Sequence, residues 1–230
     1  MKSALRSCLT LPYGAARAVR NIVYTMILGF SVAGGAMAAD LPKVLALGDS
    51  LTAGYGLPPE DGFVPRLSGW LAAQGAQAVV VNAGVSGDTT AGGAARLEWS
   101  LSEGADAMIV NLGGNDMLRG LPPAEARANL TKILEVAKAK GLPVLLVRLL
   151  APGNYGPDYK AEFDAIYPDL AAQFGVLLSP VYFAPIATAD GGLDPAFMQA
   201  DGIHPNREGV ARIVEALGPE VIALLAQIKR

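Results

Sequence analysis

Five short apolar runs follow one another after residue 40, and helical patterns or turn sequences separate them. Each run is continuously apolar, which is typical of parallel strands covered by helices on both faces. Strands that alternate with helices imply a three-layer α/β domain with right-handed crossovers. The sequence therefore predicts an α/β/α sandwich around a flavodoxin-like, five-stranded parallel sheet. The predicted strands are Val44–Leu47, Ala78–Val81, Ala107–Asn111, Val144–Leu150 and Val176–Leu178.

Three amphipathic helices are predicted between and after these strands. The second begins at Pro122-Pro123 and ends at Gly141, so both of its ends carry the expected signals. The last is expected to bend or restart near Pro219. Their apolar positions are Phe63, Leu67, Trp70 and Leu71, then Leu130, Ile133, Leu134 and Ala137, and finally Val210, Ile213, Val214 and Leu217. No repeat, linker or charge run divides residues 39–230, which predicts one domain.

The first 38 residues are interpreted as a secretory signal peptide. A basic region ends at Arg20, an apolar run covers residues 22–33, and Ala36-Met37-Ala38 offers an A-x-A cleavage site. The run is short for crossing roughly 30 Å of hydrocarbon, although an uncleaved anchor remains an alternative. Cleavage after Ala38 leaves residues 39–230 without a cysteine, which suits an oxidising compartment. We expect a periplasmic or secreted protein with no stable membrane insertion.

The charge distribution argues against several partners. Residues 1–39 hold four of the 18 basic residues and no acidic one, so the body carries 14 basic and 21 acidic residues, a net charge of −7. Such a body is a poor match for nucleic acid or an anionic membrane surface. A composition that is 52% hydrophobic and 17% charged also excludes disorder. Since the chain has one histidine and its body has no cysteine, a zinc site has too few ligands.

Small and polar residues follow the predicted strands, where open α/β sheets bind ligands. Ser50 follows the first strand, and His204 precedes the last helix. A serine hydroxyl is a weak nucleophile without an adjacent base, and His204 is the only histidine that could supply one. Without further information, the simpler interpretation is that Ser50 caps a helix and His204 fixes a loop.

Four sequence blocks in order carry a family resemblance. Gly48-Asp49-Ser50-Leu51, Gly87, Gly114-Asn115-Asp116 and Asp201-x-x-His204 resemble the signature blocks of the SGNH (GDSL) hydrolases. The stretches VVVNAGVSGDT, NLGGNDMLRG, NYG and DGIHPN are similar to the family's periplasmic acyl-CoA thioesterase, arylesterase and lysophospholipase members. The resemblance spans essentially all of residues 39–230.

The resemblance implies a catalytic triad of Ser50, His204 and Asp201, in which Asp201 orients the imidazole. It also implies an oxyanion hole made by the backbone N–H groups of Ser50 and Gly87 and the side-chain amide of Asn115. Gly84 competes with Gly87 for this role, but Ser86-Gly87-Asp88 matches the thioesterase members. Asp49 and Asp116 are expected to hold loops by bonding backbone N–H groups. No metal and no cofactor is expected.

The resemblance implies a small-molecule acyl ester or thioester as substrate. Met117, Leu118 and Leu121 follow Asn115 closely, and we expect them to form one wall of an acyl groove. The alternative is that they only pack against the helix that follows. No oligomeric state follows from the sequence.

Other functions remain as alternatives. Within the family, the rival is a carbohydrate acetylesterase. Outside it, the domain is either a non-catalytic binding module or a phosphohydrolase that holds Mg²⁺ through aspartates. An ordinary α/β-hydrolase is disfavoured because Gly84–Asp88 lacks the last glycine of the G-x-S-x-G elbow. The candidate Mg²⁺ ligands are Asp49, Asp88, Asp116 and Asp201.

Overall fold

The computed structural model describes residues 41–229, and the structural statements below concern these residues. The predicted signal peptide over residues 1–38 lies outside them. The strands are β1 (Lys43–Gly48), β2 (Val79–Gly84), β3 (Ala107–Asn111), β4 (Val144–Arg148) and β5 (Leu177–Val181). They form one parallel sheet in the order β2-β1-β3-β4-β5, with helices on both sides. This order is the flavodoxin-like one, so the predicted fold class is confirmed.

The helices form two layers against this sheet. The helices of the described chain are α1 (Ser50–Ala53), α2 (Phe63–Ala73), α3 (Thr90–Ser100), α4 (Gly114–Leu118), α5 (Pro123–Ala139), α6 (Pro157–Phe174) and α7 (Arg207–Leu225). Helices α2 and α7 pack on each other in one layer, while α3, α5 and α6 pack in that order in the other. Within residues 41–229, no helix is both long and apolar enough to cross a membrane.

Helix α5 shows how the sequence directs the local structure. It begins with Pro123 in the first turn, where a missing N–H costs nothing, and it ends just before Gly141, whose φ is +68°. Its apolar face is buried, and the helix packs between α3 and α6. The buried residues include Leu130, Ile133, Leu134 and Ala137, which are the positions that helical spacing predicts.

The strands β2, β4 and β5 differ from the prediction in their bounds or in how far they are buried. In β2, Val79 is 46% exposed, because an edge strand has no neighbour on one side. Strand β5 runs to Val181 through Pro180, a residue that only an edge position tolerates. Strand β4 ends at Arg148, two residues earlier than predicted, where the β4–β5 register becomes irregular.

The last helix does not restart at Pro219, which is one of the two alternatives predicted there. Helix α7 is continuous from Arg207 to Leu225 with Pro219 inside it. Both sides of the proline are buried, with Leu217 before it and Val221 and Leu224 after it. Packing of this continuous apolar face outweighs the loss of one helical hydrogen bond.

Candidate active site

Ser50 is the first residue of α1, and Asp49 alone separates it from the end of β1. Asp49 caps this short helix, because its Oδ1 accepts the backbone N–H of Leu51 at 3.0 Å. The serine therefore lies at the carboxyl edge of the sheet, where ligands bind in folds of this type.

Two glycines allow α1 to lie directly on the strand ends. A Cβ on Gly48 would lie 2.0 Å from Thr52 Oγ1, and a Cβ on Gly84 would lie 2.3 Å from the backbone nitrogen of Ala53. Both distances are far below van der Waals contact, so neither position accepts a side chain without a shift of α1. Gly84 thus serves close packing beneath the helix that carries Ser50.

His204 lies between Ser50 and Asp201. Its Nε2 is 2.8 Å from Ser50 Oγ, and its Nδ1 is 2.6 Å from Asp201 Oδ2. The second carboxylate oxygen of Asp201 accepts the backbone N–H groups of Ile203 and His204. These donors, the backbone N–H of His204 first and its imidazole next, lower the pKa of Asp201 to about 2. The three residues of the predicted triad, Ser50, His204 and Asp201, are thus connected by hydrogen bonds in the structure.

Two further residues hold the loop that carries His204. The ring of Tyr55 packs on the imidazole with 4.7 Å between the ring centroids. Gln199 donates from Nε2 to the carbonyls of Tyr55 and Pro205, at 2.8 and 3.0 Å, and its backbone N–H donates to the His204 carbonyl. The loop is thereby fastened to the segment that follows α1, which sets the separation between His204 and Ser50.

Asn115 lies in the first turn of α4 and faces the same cleft as Ser50 and His204. Its Nδ2 donates to the carbonyl of Asp88 at 2.9 Å and to Asp49 Oδ2 at 3.2 Å. Burial raises the pKa of Asp49 to about 6, against the opposing effects of the hydrogen bonds from Leu51 and Asn115. Asp49 therefore supports α1 and the Asn115 amide at once.

Gly87 lies in the turn after β2 and does not line the cleft. It has a φ of +84°, and its carbonyl accepts a hydrogen bond from Arg119 at 2.7 Å. The next residue, Asp88, supplies the carbonyl that binds Asn115. Gly87 therefore precedes the residue whose carbonyl binds the Asn115 side chain.

An apolar cleft of about 470 Å³ opens beside Ser50. This volume lies within the range of small-molecule sites, roughly 300–1,000 Å³. Its polar contributors are Asp49, Ser50, Asn115, Lys160 and His204, and Lys160 is bound to Asp164 and to the Ala151 carbonyl. Most of the remaining lining is aliphatic or aromatic, and it includes Leu51, Met117, Leu118, Leu150, Val181, Phe183, Leu193 and Ile203.

The aspartates proposed as Mg²⁺ ligands are each engaged by protein donors. Asp88 pairs with Arg96 at 2.6 Å, and Asp116 accepts from the backbone N–H and hydroxyl of Thr90. Within residues 41–229, no group of three or more His, Cys, Asp or Glu side chains is placed to hold a metal ion. The arrangement therefore gives no support to a metal-dependent phosphohydrolase.

Comparison with known proteins identifies the family. The family described as "GDSL-like Lipase/Acylhydrolase family" matches residues 46–212, which include all the site positions named above from residue 48 onwards. The chain belongs to this family. It is therefore an ester-hydrolysing enzyme, and the family resemblance predicted from the sequence is confirmed.

Individual relatives of this GDSL hydrolase span nearly the same length. "Esterase TesA" of Pseudomonas aeruginosa is 42% identical over 183 residues, covering 79% of this chain and 89% of that protein. "Thioesterase 1/protease 1/lysophospholipase L1" of Escherichia coli K12 is 38% identical over 190 residues, covering 82% of this chain and 87% of that protein. The solved structure of AlinE4, an SGNH-hydrolase family esterase, has a TM-score of 0.67 and 42% identity, covering 81% and 98% of the two chains.

The predicted acyl wall of this GDSL hydrolase is only partly where the sequence places it. Met117 and Leu118 belong to α4 and line the cleft. Leu121 does not line it, since the chain turns after α4 and the Leu121 N–H donates to the Asp116 carbonyl. Leu121 is half-buried beside the start of α5.

Another part of the cleft lining was not predicted from the sequence. It contains Leu150, just after β4, and Val181 and Phe183, at the end of β5. Inspecting the apolar residues that follow these strands would have found it, because they share the edge of the sheet with Ser50. Tyr55, Gln199 and Arg119 carry no such signal, since only the folded loops bring them to the site.

Proposed function

We propose that this GDSL hydrolase cleaves acyl esters and thioesters through a covalent acyl-enzyme on Ser50. The observation that carries the proposal is the hydrogen-bonded chain from Ser50 Oγ through His204 to Asp201, with contacts of 2.8 and 2.6 Å. It provides a nucleophile, a base within reach and a group that orients the base.

In the first step, Ser50 Oγ forms a bond to the acyl carbon while its proton moves to His204 Nε2. The carbonyl electron pair becomes an oxyanion. When this intermediate collapses, the bond to the leaving alcohol or thiol breaks and His204 returns the proton to it. Water then attacks the acyl-enzyme with His204 as base again, which releases the acid and restores Ser50.

The oxyanion is proposed to be stabilised by the backbone N–H groups of Ser50 and Gly87 and by Asn115 Nδ2. Both protons of the Asn115 amide have partners, and the bond to Asp49 is the longer one at 3.2 Å, against 2.9 Å to the Asp88 carbonyl. We assign the proton that faces Asp49 to the oxyanion, because Asp49 lines the cleft and Asp88 does not.

The aliphatic cleft is the proposed site of the acyl chain. Met117, Leu118, Leu150 and Phe183 line this cleft together with Ser50. Burial of each methylene contributes about 0.8 kcal/mol, close to fourfold in specificity, so medium acyl chains should be preferred to acetyl. The names of the relatives support esters and thioesters as the substrate class.

The decisive experiment labels the nucleophile. A fluorophosphonate should form an adduct that mass spectrometry locates on Ser50, and Ser50→Ala should lose both the adduct and the esterase activity. Ser86→Ala is the matched control, since Ser86 lies in the turn that contains Gly87. An adduct on Ser86 would contradict the assignment.

A panel of p-nitrophenyl esters from acetyl to palmitoyl, with an acyl-CoA and a lysophospholipid, defines the substrate. A maximum at medium chain length supports the acyl-cleft proposal. Fastest turnover on acetylated sugars would instead favour a carbohydrate acetylesterase.

We further propose that residues 1–38 act as an export signal and that residues 39–230 form the hydrolase domain. The A-x-A pattern at Ala36-Met37-Ala38 supports cleavage there and release into the periplasm or medium. N-terminal sequencing of the exported protein should begin at Ala39. A mature protein that retains residue 1 in the membrane fraction would instead indicate an uncleaved anchor.

A further inference from the structure

Helix α4 and the residue directly after it contact the turn after β2 through two side chains that are four residues apart. Asn115 Nδ2 donates to the carbonyl of Asp88 at 2.9 Å, and Arg119 donates from its guanidinium to the carbonyl of Gly87 at 2.7 Å. The Arg119 N–H donates to the Asn115 carbonyl at 3.2 Å, so the helical turn extends to Arg119 and the two side chains bind two consecutive carbonyls of the turn after β2. The direction of the two peptide groups is thereby tied to α4.

A third contact fastens the same segments independently of Arg119. Both carboxylate oxygens of Asp116 accept from Thr90, one from the backbone N–H at 2.8 Å and one from the hydroxyl at 2.6 Å. Asp116 and Thr90 are both buried, whereas Arg119 is exposed. The stability of the connection therefore rests mainly on the buried pair, and the Arg119 contact is not needed to keep the segments together.

Gly87 is the position in this turn with the greatest backbone freedom. The turn is closed by a hydrogen bond of 3.0 Å from the Asp88 N–H to the Val85 carbonyl, and Gly87 is its third residue with a φ of +84°. A third residue at this φ is typical of a type II turn. Because glycine accepts φ of either sign, the peptide group that carries the Gly87 N–H can rotate with little steric opposition.

We propose that Arg119 is a positioning residue that holds Gly87 in the conformation needed for its N–H to bind the oxyanion. The inference rests on the proposed function, which assigns the Gly87 N–H to the oxyanion hole. A hydrogen bond from a guanidinium to a carbonyl is charge-assisted, so it restrains the Gly87 backbone more strongly than a neutral donor would. Arg119 acts on the reaction through Gly87 and does not touch the reacting atoms.

The test compares Arg119→Met, Arg119→Lys and Arg119→Ala in the full-length protein, with p-nitrophenyl butyrate as substrate. Loss of one oxyanion donor costs roughly 10²–10³ in kcat, and its misplacement should cost about tenfold. We expect Arg119→Met to lower kcat by that factor with KM and the melting temperature unchanged. Arg119→Lys, which keeps one charged donor, should recover part of the rate, and added guanidinium should partly restore Arg119→Ala.

The matched control is Arg127→Met. Arg127 is a half-buried arginine of α5 that pairs with Asp169 of α6 at 2.8 Å, and neither residue lines the cleft. The Arg127→Met variant should keep the wild-type kcat. The rate of phosphonylation of Ser50 should fall in Arg119→Met in parallel with kcat, since the phosphonate oxygen uses the same donors.

Several results would overturn the proposal. An Arg119→Met enzyme with wild-type kcat would show that Gly87 needs no restraint, and a rise in KM alone would place Arg119 in substrate binding. A lowered melting temperature without rescue by guanidinium would indicate a purely structural contact. If the wild-type protein hydrolyses no ester, or if its adduct lies elsewhere than Ser50, the proposed function fails, and this inference fails with it.

Discussion

Asp201 binds His204 twice, through the Nδ1 of its ring at 2.6 Å and through its backbone N–H at 3.0 Å. The carboxylate is thus fixed relative to the main chain before it orients the imidazole. Because an aspartate accepts hydrogen bonds only, the Nδ1 must carry the proton and the Nε2 is left to accept one from Ser50. The short Asp201–His204 spacing builds this arrangement within one loop.

Replacing Asp201 with asparagine tests whether its carboxylate is needed to keep the proton of His204 on Nδ1. The amide can present N–H groups to Nδ1, which favours the wrong tautomer, and the equivalent change in a Ser-His-Asp triad costs roughly 10⁴ in kcat. We expect Asp201→Asn to lower kcat by about that factor with little change in KM, as measured by steady-state ester hydrolysis.

Asp194→Asn provides the control for this substitution. Asp194 also accepts a backbone N–H two residues ahead, from Ala196, but it contacts no predicted site residue. Its replacement should leave kcat unchanged. Comparable losses in both variants would mean that the loop geometry matters and that the Asp201 charge does not.

The buried carboxyl of Asp49 should make stability depend on pH. Burial raises its pKa from 3.8 to about 6, so between these values the folded protein binds more protons than the unfolded chain. The free energy of unfolding should therefore fall as the pH rises from about 4 to about 6, by roughly 3 kcal/mol from this group.

Asp49→Asn should abolish this pH dependence while keeping a competent helix cap. Urea unfolding of both proteins between pH 4 and 7 should show the variant gaining stability relative to the wild type as the pH rises. The lowered pKa of Asp201 acts in the opposite direction below about pH 4, outside this window. A difference that stays constant across the range would contradict a raised pKa for Asp49.

The close packing of Gly84 under α1 yields a prediction about both stability and activity. A Cβ there would lie 2.3 Å from the Ala53 nitrogen and 2.8 Å from the Asp49 carbonyl, both of them backbone atoms. Gly84→Ala should destabilise the protein by about 1–3 kcal/mol and lower kcat, since relief of the clash moves the helix that carries Ser50.

Gly69→Ala is the control for the glycine prediction. Gly69 lies on the exposed face of α2, and a Cβ there meets nothing within 4 Å. The change should stabilise the protein by about 0.5–1 kcal/mol, because alanine loses less backbone entropy in a helix. Thermal unfolding of the two variants should thus shift in opposite directions, and a tolerated Gly84→Ala would show that α1 is mobile.

The positions of Ser50 and Asn115 could be predicted because parallel strands end at one edge of the sheet, whereas His204 precedes the last helix and is placed with them by the family resemblance. The order of the blocks and the strand pattern are sufficient for that inference. The segment after β5 has no periodic pattern, so its path depends on contacts such as the bridge between Ala187 and Leu193, which only the folded chain reveals. This segment supplies Phe183, Ala184, Ala187, Gly191 and Leu193 to the cleft lining.

Tertiary contacts also explain why Leu118 lines the cleft and Leu121 does not, although they are three residues apart. At helical spacing they would share a face, but α4 ends at Leu118 and the turn at Gly120, with a φ of +62°, directs Leu121 away from the cleft. Sequence spacing alone treats both as members of one apolar wall. The bounds of a five-residue helix are decided by tertiary contacts.

This difference gives a direct test of the acyl cleft. Leu118 is 48% exposed on the cleft wall, so Leu118→Ser removes apolar contact from the acyl chain without opening the core. It should lower kcat/KM for octanoyl esters roughly tenfold more than for acetyl esters, because only the longer chain reaches the wall. Leu121→Ser lies outside the cleft and should affect both esters equally, through stability alone. If Leu118→Ser also reduced both esters equally, α4 would position Asn115 without contributing to acyl-chain recognition.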